Sequence, residues 1–446
     1  MLLICICLSV GLVPVAALGA PLWPTDVSIQ ADGGVLMDAD TGTILYGKNE
    51  NQPYYPASIT KMLTALIVLE HCSLDEMVSF SHDDVYNVEA GSSSAGIDEG
   101  DVLTVRDCLY ALMLASANES ANALACHVAG SREAFAQLMN EKASSLGCTG
   151  SHFTNPSGLN DEDHYTTAYD MALIAKEVIK NPEFLTINNT RSYQLAPTKR
   201  TPEGGYVANH HKMLNKNESV YYPGAFAGKT GYTSLAGNTL VTCAHKNGMT
   251  LIAVVLNGHQ SHYSDTKAMF DFGFRNFHSF RAVDYETKYC SLENDMTIGG
   301  MTAQNSISLL LAPEGRIILP EGAEFKDAES ALTFELPDPC PKDAVALIRY
   351  TYNSREVGAV YLYSEASDLK STAPSATSYQ ATGLQPDSDA QTDGASQKSP
   401  PSKAPTKPDI VSKEGTASSI RIPVNAWTMA GIALSLSLII AVVAAV

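Results

Sequence analysis

Ser58 and Lys61 stand three residues apart in the run Pro56-Ala57-Ser58-Ile59-Thr60-Lys61, at the head of the apolar stretch Met62–Leu69. On a helix that spacing sets both side chains on one face within a turn, so the amine reaches the hydroxyl. Pro56 marks a helix start, and an apolar run on all sides describes a buried central helix. Desolvation and the positive end of the helix dipole both favour the neutral form of a lysine at the mouth of such a helix. A neutral amine can take the proton of a serine. S-x-x-K alone is a four-residue pattern that long chains contain by chance.

Two further sets add to it. Ser116-Ala117-Asn118 interrupts apolar helical sequence between Leu109–Leu114 and Ala121–Val128, and offers the hydroxyl and amide that a proton relay to a leaving group needs. Gly228-Lys229-Thr230-Gly231 reads as a strand start with a glycine on either side of Lys-Thr. A substrate backbone could approach closely there, and an oxyanion hole could form.

The elements that must position these residues follow from periodicity. Val35–Met37 and Ile44–Tyr46, joined through Asp38-Ala39-Asp40-Thr41-Gly42, read as a β-hairpin. From there to about residue 180 the pattern is mainly helical. Thr167-Ala168-Tyr169-Asp170 reads as a capping box with Asp in place of Glu, which makes Asp170 structural. Ala225–Thr230, Thr239–Ala244 and Thr250–Leu256 are strand-like, Lys246-Asn247-Gly248 is a tight hairpin, and Ala268–Phe277 is a closing helix. Helices between strands from both ends predict an α+β fold, an antiparallel sheet packed on a helical layer. Ile307–Leu311, Arg316–Leu319 and the hairpin Val345–Tyr352 with Val357–Tyr363 predict a small all-β domain after it, without obvious chemistry of its own.

At 446 residues the chain suggests two domains plus appendages. Its 17% charged residues and net charge of −19 argue against a nucleic-acid partner, which calls for a basic face. The nine cysteines are scattered without C-x-x-C spacing, which argues against a zinc site, and leave disulfide pairing open. H-E-x-x-H and phosphate-binding motifs are absent, and His210-His211 reads as a loop pair, so neither metal nor cofactor is expected. Leu2–Leu18 is apolar and ends in Ala17-Leu18-Gly19-Ala20, which resembles a signal peptide, although no Lys or Arg precedes it. Residues 366–422 have the composition of a disordered linker. Trp427–Val446 carries no charge and has the ~20-residue length of a membrane-spanning helix, with Trp427 at the interface. The expected division is 1–20 signal peptide, 21–277 catalytic domain, 278–365 β domain, 366–422 linker and 423–446 membrane anchor, with the folded part on the extracytoplasmic side.

The three motifs, in this order, resemble the signature of penicillin-binding proteins and serine β-lactamases. Gly91-Ser92-Ser93, Phe153-Thr154-Asn155-Pro156-Ser157-Gly158-Leu159, Thr167–Asp170 and Phe272-Gly273-Phe274 are similar to the low-molecular-mass D-alanyl-D-alanine carboxypeptidases, the S11 peptidases, over about residues 28–277. The resemblance implies a penicillin-binding-protein-like catalytic domain and an acyl-enzyme on Ser58, formed from the carbonyl between the two D-alanines of a peptidoglycan stem peptide. It casts Lys61 as base, Ser116 beside Asn118 as proton relay, Lys229 as the field of the site, and Thr230 as the carboxylate contact. The N–H groups of Ser58 and Tyr232, after Gly231, would form the oxyanion hole. β-Lactams would acylate Ser58.

Many members carry an arginine for the terminal carboxylate where this chain has His262. A β-lactamase would need a carboxylate base in an E-x-x-L-N setting, which Leu159-Asn160-Asp161-Glu162 does not supply. A D,D-endopeptidase, a transpeptidase and an inactive wall-binding scaffold are the other readings.

Overall fold

The strand Gly33–Asp38 (β1) finds its partners at both ends of the catalytic region. Ile44–Lys48 (β2) flanks it on one side and Met249–Leu256 on the other, with Leu36 opposite Ala253. With Ala225–Thr233 (β3), Gly237–Lys246 (β4) and Met249–Leu256 (β5), the order is β2-β1-β5-β4-β3, antiparallel throughout. In this computed structural model, residues 20–364 are described apart from 90, 290, 293–296, 299–300, 303–306 and 338–339.

Both faces of the sheet are covered, so its strands read as continuous apolar runs rather than alternating ones. Val35, Met37, Ile252, Val254 and Leu256 face the helical layer. Leu36, Leu251, Ala253 and Val255 face Met269, Phe270 and Phe272 of the closing helix. β4 and β5 meet at Asn247 (φ +54°) and Gly248 (φ +75°), left-handed at both positions as a type I′ turn requires.

At the centre of the helical layer is Lys61–His71 (α1), whose residues 61–68 are all buried. Around it pack Val105–Leu114 (α2), Asn118–Ala129 (α3), Arg132–Ser145 (α4) and Ala168–Val178 (α5). Between α2 and α3 the chain breaks at Ser116, which is left-handed at φ +61°. Thr167 caps α5, its hydroxyl accepting from the Asp170 N–H (3.0 Å). The Asp170 carboxylate does not close a box; it accepts from the Gly150 N–H (2.8 Å) and the Ser151 hydroxyl (2.7 Å) and so holds the preceding loop. Asp170 is structural, as expected, through a different contact.

The closing helix, His262–Asn276 (α6), starts six residues before the expected Ala268. Its first turn is polar and so hidden from an apolar periodicity. Asp265 in that turn accepts from the N–H groups of Gln30 (3.1 Å) and Ala31 (2.8 Å) and from the Ser261 hydroxyl (2.6 Å).

Phe277–Arg281 (β6) leads into the β region, where Ile307–Leu311 (β7), Arg316–Pro320 (β8), Glu329–Thr333 (β9), Ala344–Tyr352 (β10) and Arg355–Ser364 (β11) follow. β6 pairs with β8, and β7-β11-β10-β9 form an antiparallel sheet. β8 joins the two layers by strand alternation: Ile317 and Leu319 enter the β core, and Ile318 packs with α6.

No helix among the described residues is long and apolar enough to cross a membrane. The expected signal peptide (except Ala20), linker and Trp427–Val446 lie outside the described residues.

Gly273 lets α6 lie close on the sheet: a Cβ there would stand 2.6 Å from Leu251 Cδ1 and 2.8 Å from Leu36 Cδ2. Gly273→Val is expected to destabilise the protein by about 1–3 kcal/mol through overpacking. Urea unfolding would show this as a lower midpoint with an unchanged slope, and activity per folded molecule would hold.

Candidate active site

Ser58 does not sit on the α-helix. Ala57–Thr60 form a turn of 3-10 helix and α1 begins at Lys61. The tighter turn brings residues i and i+3 into eclipse, so the pairing expected of an α-helix is closer here. Lys61 Nζ lies 3.0 Å from Ser58 Oγ. Ala57 enters the turn at φ +50°, a strained conformation for a residue with a Cβ. Two contacts hold it: the Thr239 hydroxyl donates to the Pro56 carbonyl (2.8 Å), and Gly158 lies against the Ala57 carbonyl. A Cβ on Gly158, itself at φ +83°, would fall 1.9 Å from that oxygen.

The surroundings of Lys61 decide its proton state. Nζ donates to Asn118 Oδ1 (2.7 Å) and to the Ser157 carbonyl (2.6 Å), and both are pure acceptors. Two N–H bonds satisfy them, and the third position of the nitrogen faces Ser58 Oγ. Lys61 is fully buried, and its pKa is pushed well below the usual lysine range, first by burial and then by the charge of Lys229, with Glu119 opposing. Burial and that repulsion both favour the neutral amine, whose lone pair would face the serine hydroxyl.

Ser116, in the break before α3, is buried, and among the described residues its Oγ has no hydrogen-bond partner. No hydrogen bond joins it to Lys61, whose N–H bonds go to Asn118 and Ser157. The start of α3 also positions a loop. The Asn118 N–H donates to the Ser93 carbonyl (3.0 Å), and buried Glu119 Oε1 accepts from the Ser94 hydroxyl and the Ala95 N–H, each at 2.7 Å.

Lys229, Thr230, Gly231 and Tyr232 lie inside β3 rather than at a strand start, and β3 is one of the two edge strands of the sheet. Gly231 passes hard against the nucleophile: a Cβ there would be 2.3 Å from Thr239 Oγ1 and 2.9 Å from the Ser58 nitrogen. Lys229 is 2% exposed, donates to the Thr230 carbonyl (3.0 Å), and has its pKa pushed down to about 7 by burial. Asn188, which the sequence reading missed, fixes the strand ahead of it. Its side chain donates to the Gly228 carbonyl (2.9 Å) and accepts from the Gly228 N–H (2.8 Å).

Ser58, Ser116, Asn118, Thr230, Gly231 and Tyr232 all line one cleft of about 440 Å³, with Lys61 and Lys229 buried beside it. Ser92, Ser93, Asn160, His210 and His262 complete the parts relevant here. The two loop serines were legible only through resemblance. His210 is a loop residue, as expected, but borders the cleft, while its neighbour His211 is buried against the Val241 carbonyl (3.1 Å) and Thr242 hydroxyl (3.0 Å). Burial holds His211 at about 4, so it is neutral. Asn160 accepts from the Thr233 hydroxyl (2.8 Å), while Glu162 lines a separate groove. A serine beside a neutral lysine, at the edge of a strand that admits an extended chain, can perform acyl transfer.

The family model of D-alanyl-D-alanine carboxypeptidases matches residues 20–260. The D-alanyl-D-alanine carboxypeptidase DacF of Bacillus subtilis is 34% identical over 259 residues, 57% of this chain and 64% of its own length. DacB2 of Mycobacterium tuberculosis is 33% identical, covering 54% of this chain and 81% of its own. Among solved structures, penicillin-binding protein 5 of Haemophilus influenzae superposes with a TM-score of 0.61 at 26% identity, covering 76% of this chain and 98% of its own. A variant of the Streptomyces K15 DD-transpeptidase gives 0.51 at 32% identity, covering 56% and 99%.

Asn188→Ala would leave the buried N–H and carbonyl of Gly228 unpaired, at about 1–3 kcal/mol for each group. The expected result is a lower thermal midpoint together with slower β-lactam acylation in the molecules that remain folded.

Proposed function

The chain belongs to the D-alanyl-D-alanine carboxypeptidase family, and on that premise we propose that it removes the terminal D-alanine from peptidoglycan stem pentapeptides through an acyl-enzyme on Ser58. The observation that carries the assignment of roles is the bonding of Lys61, whose two N–H bonds are taken and whose third position faces the Ser58 hydroxyl.

Ser58 Oγ attacks the carbonyl between the two D-alanines as its proton passes to Lys61 Nζ. The negative charge forming on the carbonyl oxygen is met by the N–H groups of Ser58 and Tyr232, a reading supported by the close pass of Gly231, the residue before Tyr232, against the Ser58 nitrogen. The intermediate collapses as the C–N bond breaks. The proton returns from Lys61 through Ser116 to the departing amine, giving Ser116 Oγ the partner it lacks among the described residues. Water then cleaves the ester, releasing the shortened peptide and restoring Ser58. Lys229 supplies positive potential, and an arriving carboxylate at Thr230 raises its protonated fraction. A β-lactam follows the first half of this course and leaves Ser58 acylated. The catalytic groups are assembled, which favours the enzyme over a wall-binding scaffold.

His262 stands where the family carries an arginine for the substrate carboxylate. It borders the cleft, and its Nδ1 is buried without a partner among the described residues. Burial lowers its pKa, Asp265 opposes this, and Lys212 adds to it, so the free enzyme holds it neutral at pH 7. A bound carboxylate favours the protonated ring, so the Michaelis constant falls as pH drops from neutral toward the acid side. His262→Ala should flatten that dependence and raise the constant severalfold at low pH; an unchanged constant at all pH values removes His262 from carboxylate binding.

Export and a membrane tether complete the reading, supported by the apolar sequence of Leu2–Leu18 and Trp427–Val446. The full chain should need detergent for extraction while residues 21–365 should not; equal solubility would remove the tether. The reaction itself is tested by D-alanine release from diacyl-L-Lys-D-Ala-D-Ala, with Ser58→Ala alongside and fluorescent penicillin labelling of both. Release and labelling should vanish together in the variant. Labelling without release would move the function to an endopeptidase or transpeptidase.

A further inference from the structure

α1 and α3 both begin at the active site, with Lys61 and Asn118 as their first residues, and both end beside a second cluster of chemically active side chains. Cys72 is the C-cap of α1, His127 is in the last turn of α3, and Glu76 lies just before the short strand Met77–Ser79. Cys72 Sγ, a Glu76 carboxylate oxygen and a ring nitrogen of His127 all lie within 4.8 Å of one another. His127 Nε2 is 3.0 Å from Glu76 Oε2, and the other Glu76 oxygen accepts from the Ser73 N–H (2.6 Å).

We propose that Cys72, Glu76 and His127 bind a zinc-class divalent cation at the far ends of the two catalytic helices. A thiolate, an imidazole and a carboxylate are the three ligand types zinc accepts, and three protein ligands leave its fourth position for water. Exposed carboxylates often cluster without holding metal, but this set contains a single carboxylate, and the soft thiol beside it selects against calcium and magnesium. Geometry supplies a second reason. The C-terminal ends of α1 and α3 converge here, and each helix presents its partial negative charge at that end. The Ser73 N–H orients the Glu76 carboxylate as a second-shell partner would.

On binding, the Cys72 S–H bond breaks, its proton leaves to solvent and the sulfur–metal bond forms. His127 moves its proton to Nδ1 and gives the Nε2 lone pair to the metal, while Glu76 binds as the carboxylate. The metal lies beyond α1 from the nucleophile, about 16 Å away for 11 residues at 1.5 Å rise, so it braces the helices and takes no part in acyl transfer. Residues 72, 76 and 127 carry no short motif, which is why spacing alone argued against a zinc site.

The test uses the full chain in detergent, reduced, titrated with Co²⁺ and then Zn²⁺. One equivalent of Co²⁺ should produce a near-ultraviolet thiolate charge-transfer band, and Zn²⁺ should bleach it. Cys72→Ser should abolish the band. His127→Gln should weaken binding at least about a hundredfold, since even outer-shell partners are worth 10–100-fold. Both positions lie at helix ends away from the catalytic groups, so D-alanine release should persist in the variants and report that they are folded. No saturable band with the native chain, or a band that survives Cys72→Ser, overturns the proposal.

Discussion

A lysine buried in a protein core is costly as a cation, and the catalytic half of this molecule is organised around accommodating one as an amine. Lys61 has two acceptor-only partners and one hydroxyl neighbour, which matches the two N–H bonds and one lone pair of a neutral nitrogen. Each partner comes from a different part of the chain: Ser58 from the turn before α1, Asn118 from the head of α3, and the Ser157 carbonyl from the loop before α5. The apolar packing of α1 removes solvent, and Lys229 on the edge strand adds a repelling charge. Burial and repulsion act in the same direction.

The same convergence explains the strained points of the backbone. Ala57 and Ser116 are both left-handed without being glycine; Ala57 directly precedes Ser58, and Ser116 carries the second hydroxyl of the site. Gly158 and Gly231 are the two places where neighbouring chain must approach the nucleophile turn more closely than a Cβ allows. The edge position of β3 leaves Thr230–Thr233 bordering the cleft while β4 pairs with its other side.

Much of this was legible in the sequence. Strands with type I′ turn residues, the apolar run of α1 and the polar break at Ser116-Ala117-Asn118 all carry local physical signatures of the α+β architecture; Ser58, Ser116, Asn118, Thr230 and Gly231 of the cleft wall stood in the three motifs, and Tyr232 followed only from the family resemblance. What stayed hidden depends on tertiary placement. The 3-10 form of Ala57–Thr60 is set by contacts with Gly158 and Thr239, far away in sequence. Asn188 and the Ser157 carbonyl act through single hydrogen bonds from segments without a motif. The polar first turn of α6 lacks the apolar period that reveals a helix, and Asp170 spends its carboxylate on a loop that no capping pattern mentions.

The most direct test of the account is the protonation state of Lys61 itself, read from the ¹⁵N resonance of its side chain and assigned by its loss in Lys61→Met. A neutral amine signal at pH 7 is the expected result, converting to ammonium as the pH is lowered. An ammonium signal at neutral pH would contradict it, since Ser58 would then have no base beside it.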